Sequence, residues 1–389
     1  MGATTATLDR ASTRAWWPAG LAMLVIGWGG NQFTPLLSVY RDHGGFSQLD
    51  VDVFLGAYVV GLVPGLLIAS VLSDRFGRRP LMLIGLGSSF LGSALLGLGD
   101  VVGYPALFAG RALSGVAVGI AMAVGTAWVT ELSPSGTGAR RSAVLLTIGF
   151  AAGPASAGIL AEWTTPALVW PYVVHLALCA PAIRLVLTTP AESSRYDGRV
   201  RLRVPRRFFR VVLPMAPWVF GSAGVAYAIV PQVVDGALGR WALLFTSALT
   251  VATLVTGVLV QPLARCLDHH SSARAVVVSM GLMTIGMALA ALTAVVRRPW
   301  LAVPVALVLG AAYGIAVVSG LLEVQRMTPP EHLSALTGIY YALAYIGFLL
   351  PALLAFLAHW FPLPTMLTTV ALTALTCTLL VSKFSQHDT

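Results

Sequence analysis

The chain has 389 residues, of which 57% are hydrophobic and only 10% are charged, and its mean hydropathy is +0.83. Charged groups are too few to cover the surface of a water-soluble domain, so the composition indicates an integral membrane protein. The formal net charge of +9 does not indicate nucleic-acid binding, because its largest contribution comes from arginines within the single segment 195–210.

Apolar runs of about 20 residues, long enough to cross the hydrocarbon core of a bilayer as a helix, recur along the chain. We predict an all-α membrane protein with twelve transmembrane helices. The predicted spans are 17–40, 52–73, 80–98, 104–128, 142–162, 168–188, 210–234, 241–263, 274–295, 299–320, 334–357 and 363–381.

The distribution of positive charge predicts the topology. Most of the 24 Lys and Arg residues fall in alternate connections, which the positive-inside rule places in the cytoplasm together with both termini. The basic segment 189–209 is a predicted cytoplasmic linker, whose arginines fix topology and contact anionic lipid headgroups. It divides the chain into an N-terminal six-helix half, 1–188, and a C-terminal six-helix half, 210–389.

A dense group of charges separates the second and third spans, in the stretch Ser70-Val-Leu-Ser-Asp-Arg-Phe-Gly-Arg-Arg-Pro80. This turn resembles the signature of the major facilitator superfamily of secondary transporters, Gly-x-Leu-x-Asp-Arg-x-Gly-Arg-Lys/Arg, and departs from it at Ser70. The resemblance implies two six-helix halves that transport by alternating access. It also implies a conformational latch, built from Asp74, Arg75, Gly77, Arg78, Arg79 and Glu131. The alternative is a turn that only fixes topology.

The fifth span carries Gly149, Gly153, Pro154 and Gly158 in the stretch Gly-Phe-Ala-Ala-Gly-Pro-Ala-Ser-Ala-Gly. This stretch is similar to the motif of proton-coupled exporters in the same superfamily, with Ala157 in place of one glycine. Small residues at four-residue spacing lie on one helix face, where they allow a neighbouring backbone to approach closely, and the proline permits a kink. Ordinary tight packing is the alternative.

Five residues are candidates for the substrate cavity or for proton coupling: Asn31, Gln32, Arg111, His175 and Tyr227. A charged residue within a span is costly, so Arg111 needs compensation from a carboxylate, an anionic substrate or first-span carbonyls; snorkelling to water is the alternative. Asn31 and Gln32 line a cavity or join helices by hydrogen bonds. His175 titrates near physiological pH or is a satisfied buried histidine. Tyr227 belongs to a set of aromatics that line the cavity or only pack.

These features predict a secondary active transporter, with proton-coupled efflux of lipophilic drug-like compounds or metabolites as the main hypothesis. The alternative is an importer or exchanger of a small organic anion, because the first span lacks the acidic residue that proton-coupled exporters often have there. We expect no enzymatic activity, cofactor or metal site. The expected partners are a small-molecule substrate, protons and membrane lipids, but not nucleic acid. We expect a monomeric, multi-pass protein of the inner (plasma) membrane.

Overall fold

A computed structural model describes residues 15–134, 137–189, 204–268, 272–327 and 330–385, without the side chains of residues 42–44, 74, 139–140 and 330–335. Both chain termini and most of the predicted linker 189–209 lie outside these residues. The described part of the chain is almost entirely helical.

Twelve helices correspond to the twelve predicted spans, so the prediction of an all-α, twelve-helix membrane protein is confirmed. Helix α1 is Trp17–Asn31. Within the described residues, eleven further helices are long and apolar enough to cross a membrane. They are α2 Gln48–Ser73, α3 Arg78–Gly97, α4 Tyr104–Glu131, α5 Arg141–Trp163, α6 Trp170–Thr188, α7 Phe208–Ala237, α8 Gly239–Leu267, α9 Arg274–Val296, α10 Pro299–Met327, α11 Leu336–Leu357 and α12 Leu363–Lys383.

The first span is not one continuous helix. Helix α1 has 15 residues and ends at Asn31, and a 3-10 turn, Thr34–Leu36, then leads into the short helix Leu37–Gly44. Pro35 lies in this turn, where its missing backbone N–H prevents a regular α-helix from continuing. The interruption leaves carbonyl oxygens at the end of α1 that need partners from other helices.

The described residues form two compact units, each with its own packing. Unit one comprises the described parts of Met1–Gln32, Val60–Ser156 and Thr164–Gly198; unit two comprises those of Phe33–Val59, Ala157–Trp163 and Arg199–Thr389. In unit one, α1 packs on α3, α4 and α6, and α3 packs on α4 and α6. In unit two, α7 packs on α9, α10 and α12, and α9 packs on α10 and α12. The same neighbour scheme therefore recurs six helices later.

Glycines let the second and fourth helices of each six-helix set, α2 with α4 and α8 with α10, approach closely. A Cβ atom at Gly61 of α2 would overlap the carbonyl oxygen of Ala112 in α4. A Cβ atom at Gly314 of α10 would likewise overlap the carbonyl oxygen of Gly257 in α8. Such close backbone contact is how membrane helices gain packing energy without a hydrophobic driving force between them.

Candidate functional site

A chain of hydrogen bonds crosses the interior of unit one. The Gln32 Nε2 atom donates to Ser93 Oγ at 3.0 Å, Ser93 Oγ lies 2.8 Å from His175 Nδ1, and His175 Nε2 lies 3.0 Å from the Val25 carbonyl oxygen. All three side chains are buried. A carbonyl oxygen only accepts, so Nε2 carries the hydrogen and the Ser93 hydroxyl donates to Nδ1. This arrangement matches one neutral tautomer of His175.

The contacts of His175 favour one of its two sequence-based interpretations. Both ring nitrogens have partners, and the ring packs so closely on α1 that a Cβ atom at Gly29 would lie 2.5 Å from Nε2. A protonated ring would have to donate from both nitrogens, and the Ser93 hydroxyl would then need another acceptor. The geometry thus favours the satisfied buried histidine over a proton-coupling group.

Two buried polar atoms on α1 and just beyond its end have no hydrogen-bond partner within the described residues. They are the indole nitrogen Nε1 of Trp28 and the amide oxygen Oε1 of Gln32. The two residues are four positions apart, so they lie on the same helix face. One atom is a donor and the other an acceptor. Buried polar atoms without partners are rare in proteins and mark places where a ligand or water is expected.

Arg111 lies in α4, and its side chain is buried, with 1% of the residue exposed. Its Nη1 atom donates to the carbonyl oxygen of Gly30 at 3.1 Å. Gly30 is in the last turn of α1, where carbonyl oxygens lack helical partners and the helix dipole is negative. The sequence allowed Arg111 to contact a carboxylate, an anionic substrate, a first-span carbonyl or water. The structure shows the contact with a first-span carbonyl. The end of α1 thus compensates a buried positive charge.

Asn31 links the same end of α1 to α5. Its Nδ2 atom donates to the carbonyl oxygen of Phe150 at 3.1 Å. Asn31, Gln32 and Arg111 therefore all form hydrogen bonds at the interruption of the first span, to α5, α3 and α1 respectively. Within unit one, this polar end of α1 is the candidate binding site.

Tyr227 belongs to unit two. It is 1% exposed, within a π-helical turn of α7, Val225–Ile229. Its ring centroid is 6.2 Å from that of Phe348, and Phe348 in turn belongs to a cluster with Phe220 and Tyr345, whose rings stack at 3.9 Å. The cluster offers flat apolar faces of the kind that pack against aromatic ligands.

The charged turn after α2 contains an ion pair. Arg78 donates to Glu131 Oε1 from Nη2 at 3.0 Å and from Nε at 3.2 Å, and its Nη1 donates to Ser73 Oγ at 2.5 Å. Gly77 has φ 91° and ψ 163°, a conformation that residues with a side chain rarely adopt. The glycine therefore turns the chain so that Arg78 reaches the end of α4.

The other predicted latch residues take separate positions. Arg79 donates to the carbonyl oxygen of Leu187 at the end of α6, and the Arg75 guanidinium carbon lies 5.4 Å from the ring centroid of Phe76. The side chain of Asp74 lies outside the described residues. The structure thus joins Arg78 to Glu131, and the latch itself stays a prediction.

The glycines of the fifth-span motif lie against other helices. A Cβ atom at Gly149 or Gly153 would overlap backbone oxygens of Leu24 and Trp28 in α1. In unit two, a Cβ atom at Gly158 would overlap Ser247 Oγ of α8. Pro154 lies inside the continuous helix Gly138–Trp163. The first two glycines therefore allow α5 to contact the backbone of α1 directly.

Sequence reasoning did not assign a second charged cluster, in unit two. Glu323 of α10 is buried and lies between two arginines: Arg207 Nε is 3.0 Å from Oε2, and Arg326 Nη1 is 3.4 Å from Oε1. Arg326 also pairs with Asp268, directly after α8. The signal was present in the sequence, because Arg326-Met-Thr-Pro begins in the last turn of α10 as Glu131-Leu-Ser-Pro begins at the last residue of α4.

A twelve-helix membrane protein with repeated packing and buried polar groups at an interrupted helix has the architecture of a secondary transporter. The chain matches the family model of the Major Facilitator Superfamily over residues 19–350 and belongs to that family. Proteins of this family are multi-pass membrane transporters.

Sequence relatives are 4-hydroxybenzoate transporters named PcaK. The protein of Pseudomonas putida is 27% identical over 217 residues, which are 54% of this chain and 46% of the relative. That of Pseudomonas aeruginosa is 28% identical over 218 residues, again 54% and 46%. The matched region thus spans about half the length of these relatives.

Among solved structures, that of a D-xylose-proton symporter superposes with a TM-score of 0.67 at 16% sequence identity. The match covers 95% of this chain and 97% of the symporter. At this identity the similarity concerns the fold.

Proposed function

We propose that this chain is a proton-driven transporter of small hydroxylated aromatic carboxylates. The sequence relatives support this substrate class, since their names give 4-hydroxybenzoate as the substrate. We therefore favour transport of a small organic anion over the efflux of lipophilic compounds. We place the protein in the inner (plasma) membrane, where a proton gradient is available.

The observation that carries the proposal is the set of polar groups at the end of α1. Gln32 Oε1 is a buried acceptor and Trp28 Nε1 a buried donor, and neither has a partner within the described residues. A ligand with both a hydroxyl group and carboxylate oxygens satisfies both atoms. A purely apolar compound satisfies neither, and binding it would leave both desolvated.

Arg111 adds the charge that an anionic substrate requires. Its guanidinium is bonded to Gly30, two residues before Gln32, and it keeps its proton at any physiological pH. A planar guanidinium recognises a carboxylate by parallel hydrogen bonds and is attracted to it strongly where water is excluded. Arg111 therefore provides long-range attraction for the anion, while Gln32 selects for a hydroxyl group.

Efflux of lipophilic compounds remains a second candidate, favoured by two features. The ring cluster of Phe220, Tyr345 and Phe348 in unit two is apolar, and the exporter-like glycine motif of α5 is intact except for Ala157. These rings equally suit the aromatic ring of a hydroxybenzoate. The substrate's charge therefore separates the two candidates.

The test uses purified full-length protein in proteoliposomes with an imposed pH gradient. We expect gradient-driven uptake of radiolabelled 4-hydroxybenzoate, weaker competition by benzoate, and no competition by amphipathic cations. Arg111→Gln should abolish this uptake, whereas Arg184→Gln, on the exposed face of α6, should not change it. Gln32→Leu should remove the preference for 4-hydroxybenzoate over benzoate.

Two results would contradict the proposal. Proton flux triggered by amphipathic cations and not by aromatic acids would establish the efflux candidate instead. Equal uptake by Arg111→Gln and the unmodified protein would show that the guanidinium only caps α1.

A further inference from the structure

Besides His175, three acidic or basic side chains are buried within the described residues: Asp52, Arg111 and Glu323. Arg111 meets the carbonyl end of α1, and Glu323 lies between two arginines. Asp52 is the exception. It is 0% exposed, in the second turn of α2, and no salt bridge to it is present among the described residues.

The contacts of Asp52 leave half of its carboxyl group unsatisfied. Gln48 Nε2 donates to Oδ2 at 2.6 Å, and Oδ1 has no hydrogen-bond partner within the described residues. An ionised carboxylate here would be buried with one neutral donor, which is costly, whereas a protonated carboxyl group carries no charge into the interior. The site therefore suits a group that gains and loses a proton.

A single arginine connects Asp52 to a second carboxylate of unit two. Arg41 Nη2 pairs with Asp235 Oδ2 at 2.5 Å, and Arg41 Nη1 donates to Gln48 Oε1 at 3.4 Å. The Gln48 amide thus bridges Arg41 and Asp52. Arg41 and Asp235 keep 27% and 24% of their side chains exposed, so solvent reaches this end of the network.

One arginine cannot neutralise two carboxylates. In the structure Asp235 holds the direct ion pair and Asp52 receives only the neutral amide. If Asp52 were ionised, it would compete for Arg41 and oppose the pairing with Asp235. Protonation of Asp52 removes that competition.

We propose that Asp52 is the proton-binding carboxyl group of this transporter, and that its protonation allows Arg41 to pair with Asp235. The inference rests on the proposed proton-driven transport and names the group that couples it. The ion pair joins the short helix Leu37–Gly44 to α7, so a proton on Asp52 stabilises the conformation in which these two helices are linked.

The other ionisable groups nearby can be separated from Asp52 by experiment. Asp50, on the same helix, accepts hydrogen bonds from Ser47 N–H and Oγ at 2.9 and 2.6 Å at the exposed start of α2. It is therefore a matched control. The side chains of Asp42 and His43 lie outside the described residues, so His43→Gln serves as a second control.

The first measurement needs no substrate. Infrared difference spectra of purified protein, recorded between acidic and alkaline pH, report the carbonyl stretch of protonated carboxylic acids. We expect Asp52→Asn to remove one titrating band that Asp50→Asn and His43→Gln retain. An unchanged spectrum in Asp52→Asn would overturn the proposal, whatever the substrate of the transporter.

The second measurement separates coupling from substrate translocation, using 4-hydroxybenzoate in proteoliposomes. Asp52→Asn should lose pH-gradient-driven accumulation, falling to the level seen without a gradient, while it keeps substrate counterflow. Asp52→Glu should recover part of the accumulation, and Asp50→Asn and His43→Gln should keep all of it. Full accumulation by Asp52→Asn, or its loss in His43→Gln, would overturn the proposal. Loss of substrate counterflow in both Asp52→Asn and Asp52→Glu would also overturn the proposal.

Failure of the proposed substrate class gives a different pattern. The unmodified protein would then transport no 4-hydroxybenzoate, and the infrared band would decide the role of Asp52 alone.

Discussion

Replacing Ser93 by alanine tests the buried hydrogen-bond chain of unit one. The Ser93 hydroxyl accepts from Gln32 and donates to His175, so Ser93→Ala removes two bonds that join three helices. Hydrogen bonds between membrane helices average about 0.6 kcal/mol, whereas a buried polar group left without a partner costs about 1–3 kcal/mol. We therefore expect the free energy of unfolding to fall by about 1–4 kcal/mol. The larger values apply if neither Gln32 nor His175 finds a new hydrogen-bond partner.

Ser114→Ala is the matched control for this experiment. Ser114 is as buried as Ser93, but its hydroxyl donates to the carbonyl oxygen of Gly110 in its own helix, at 2.9 Å. That carbonyl belongs to the helix, so the substitution should change the free energy by less than about 0.5 kcal/mol. Equilibrium unfolding in mixed micelles of a denaturing detergent measures both variants. Equal stabilities for Ser93→Ala and Ser114→Ala would refute the hydrogen-bond chain.

Three further predictions concern the glycines and the charged turn. Gly77→Ala should lower the free energy of unfolding by about 1–3 kcal/mol through backbone strain at φ 91°, so thermal stability in detergent should fall. Gly87→Ala is the control, because a Cβ atom there meets nothing within 4 Å, and it should not lower the thermal stability. Gly153→Ala should also destabilise, because its Cβ atom meets the backbone of α1 and cannot be accommodated by rotating a side chain. Glu131→Gln should reduce the initial transport rate while the free energy of unfolding falls by under about 1 kcal/mol. The double variant Arg78→Glu with Glu131→Arg, which reverses the pair, should restore transport. Equal initial rates in the unmodified protein, Glu131→Gln and the double variant would exclude the latch.

The sequence predicts the helices well because a bilayer leaves few alternatives. A chain in hydrocarbon must satisfy its own backbone hydrogen bonds, so apolar runs of sufficient length become helices. The predicted span 52–73 corresponds to Gln48–Ser73 and the predicted 80–98 to Arg78–Gly97. The first span is interrupted near Pro35, and the interruption coincides with a cluster of glycine, proline and polar residues that is visible in the sequence.

Contacts between distant residues could not be predicted in the same way. Arg41 and Asp235 are 194 residues apart, and each lies among other charges at a helix end, so many pairings fit the sequence equally well. His175 illustrates the same limit. Its position on α6 follows from the sequence, but its partners Ser93 and Val25 depend on how three helices are rotated about their axes. Hydropathy constrains these rotations only weakly when every face is apolar.

The two repeats retain an ion pair in the same place but with its signs exchanged. In unit one, the arginine follows the second helix and the carboxylate ends the fourth, as Arg78 and Glu131. In unit two, the carboxylate follows the second helix of the repeat and the arginine ends the fourth, as Asp268 and Arg326. A turn that only fixed topology would need positive charge and no acidic partner. A latch predicts a pair that recurs with reversed polarity, because it needs only attraction between these helix ends, whereas a turn that only fixes topology does not predict the acidic partners.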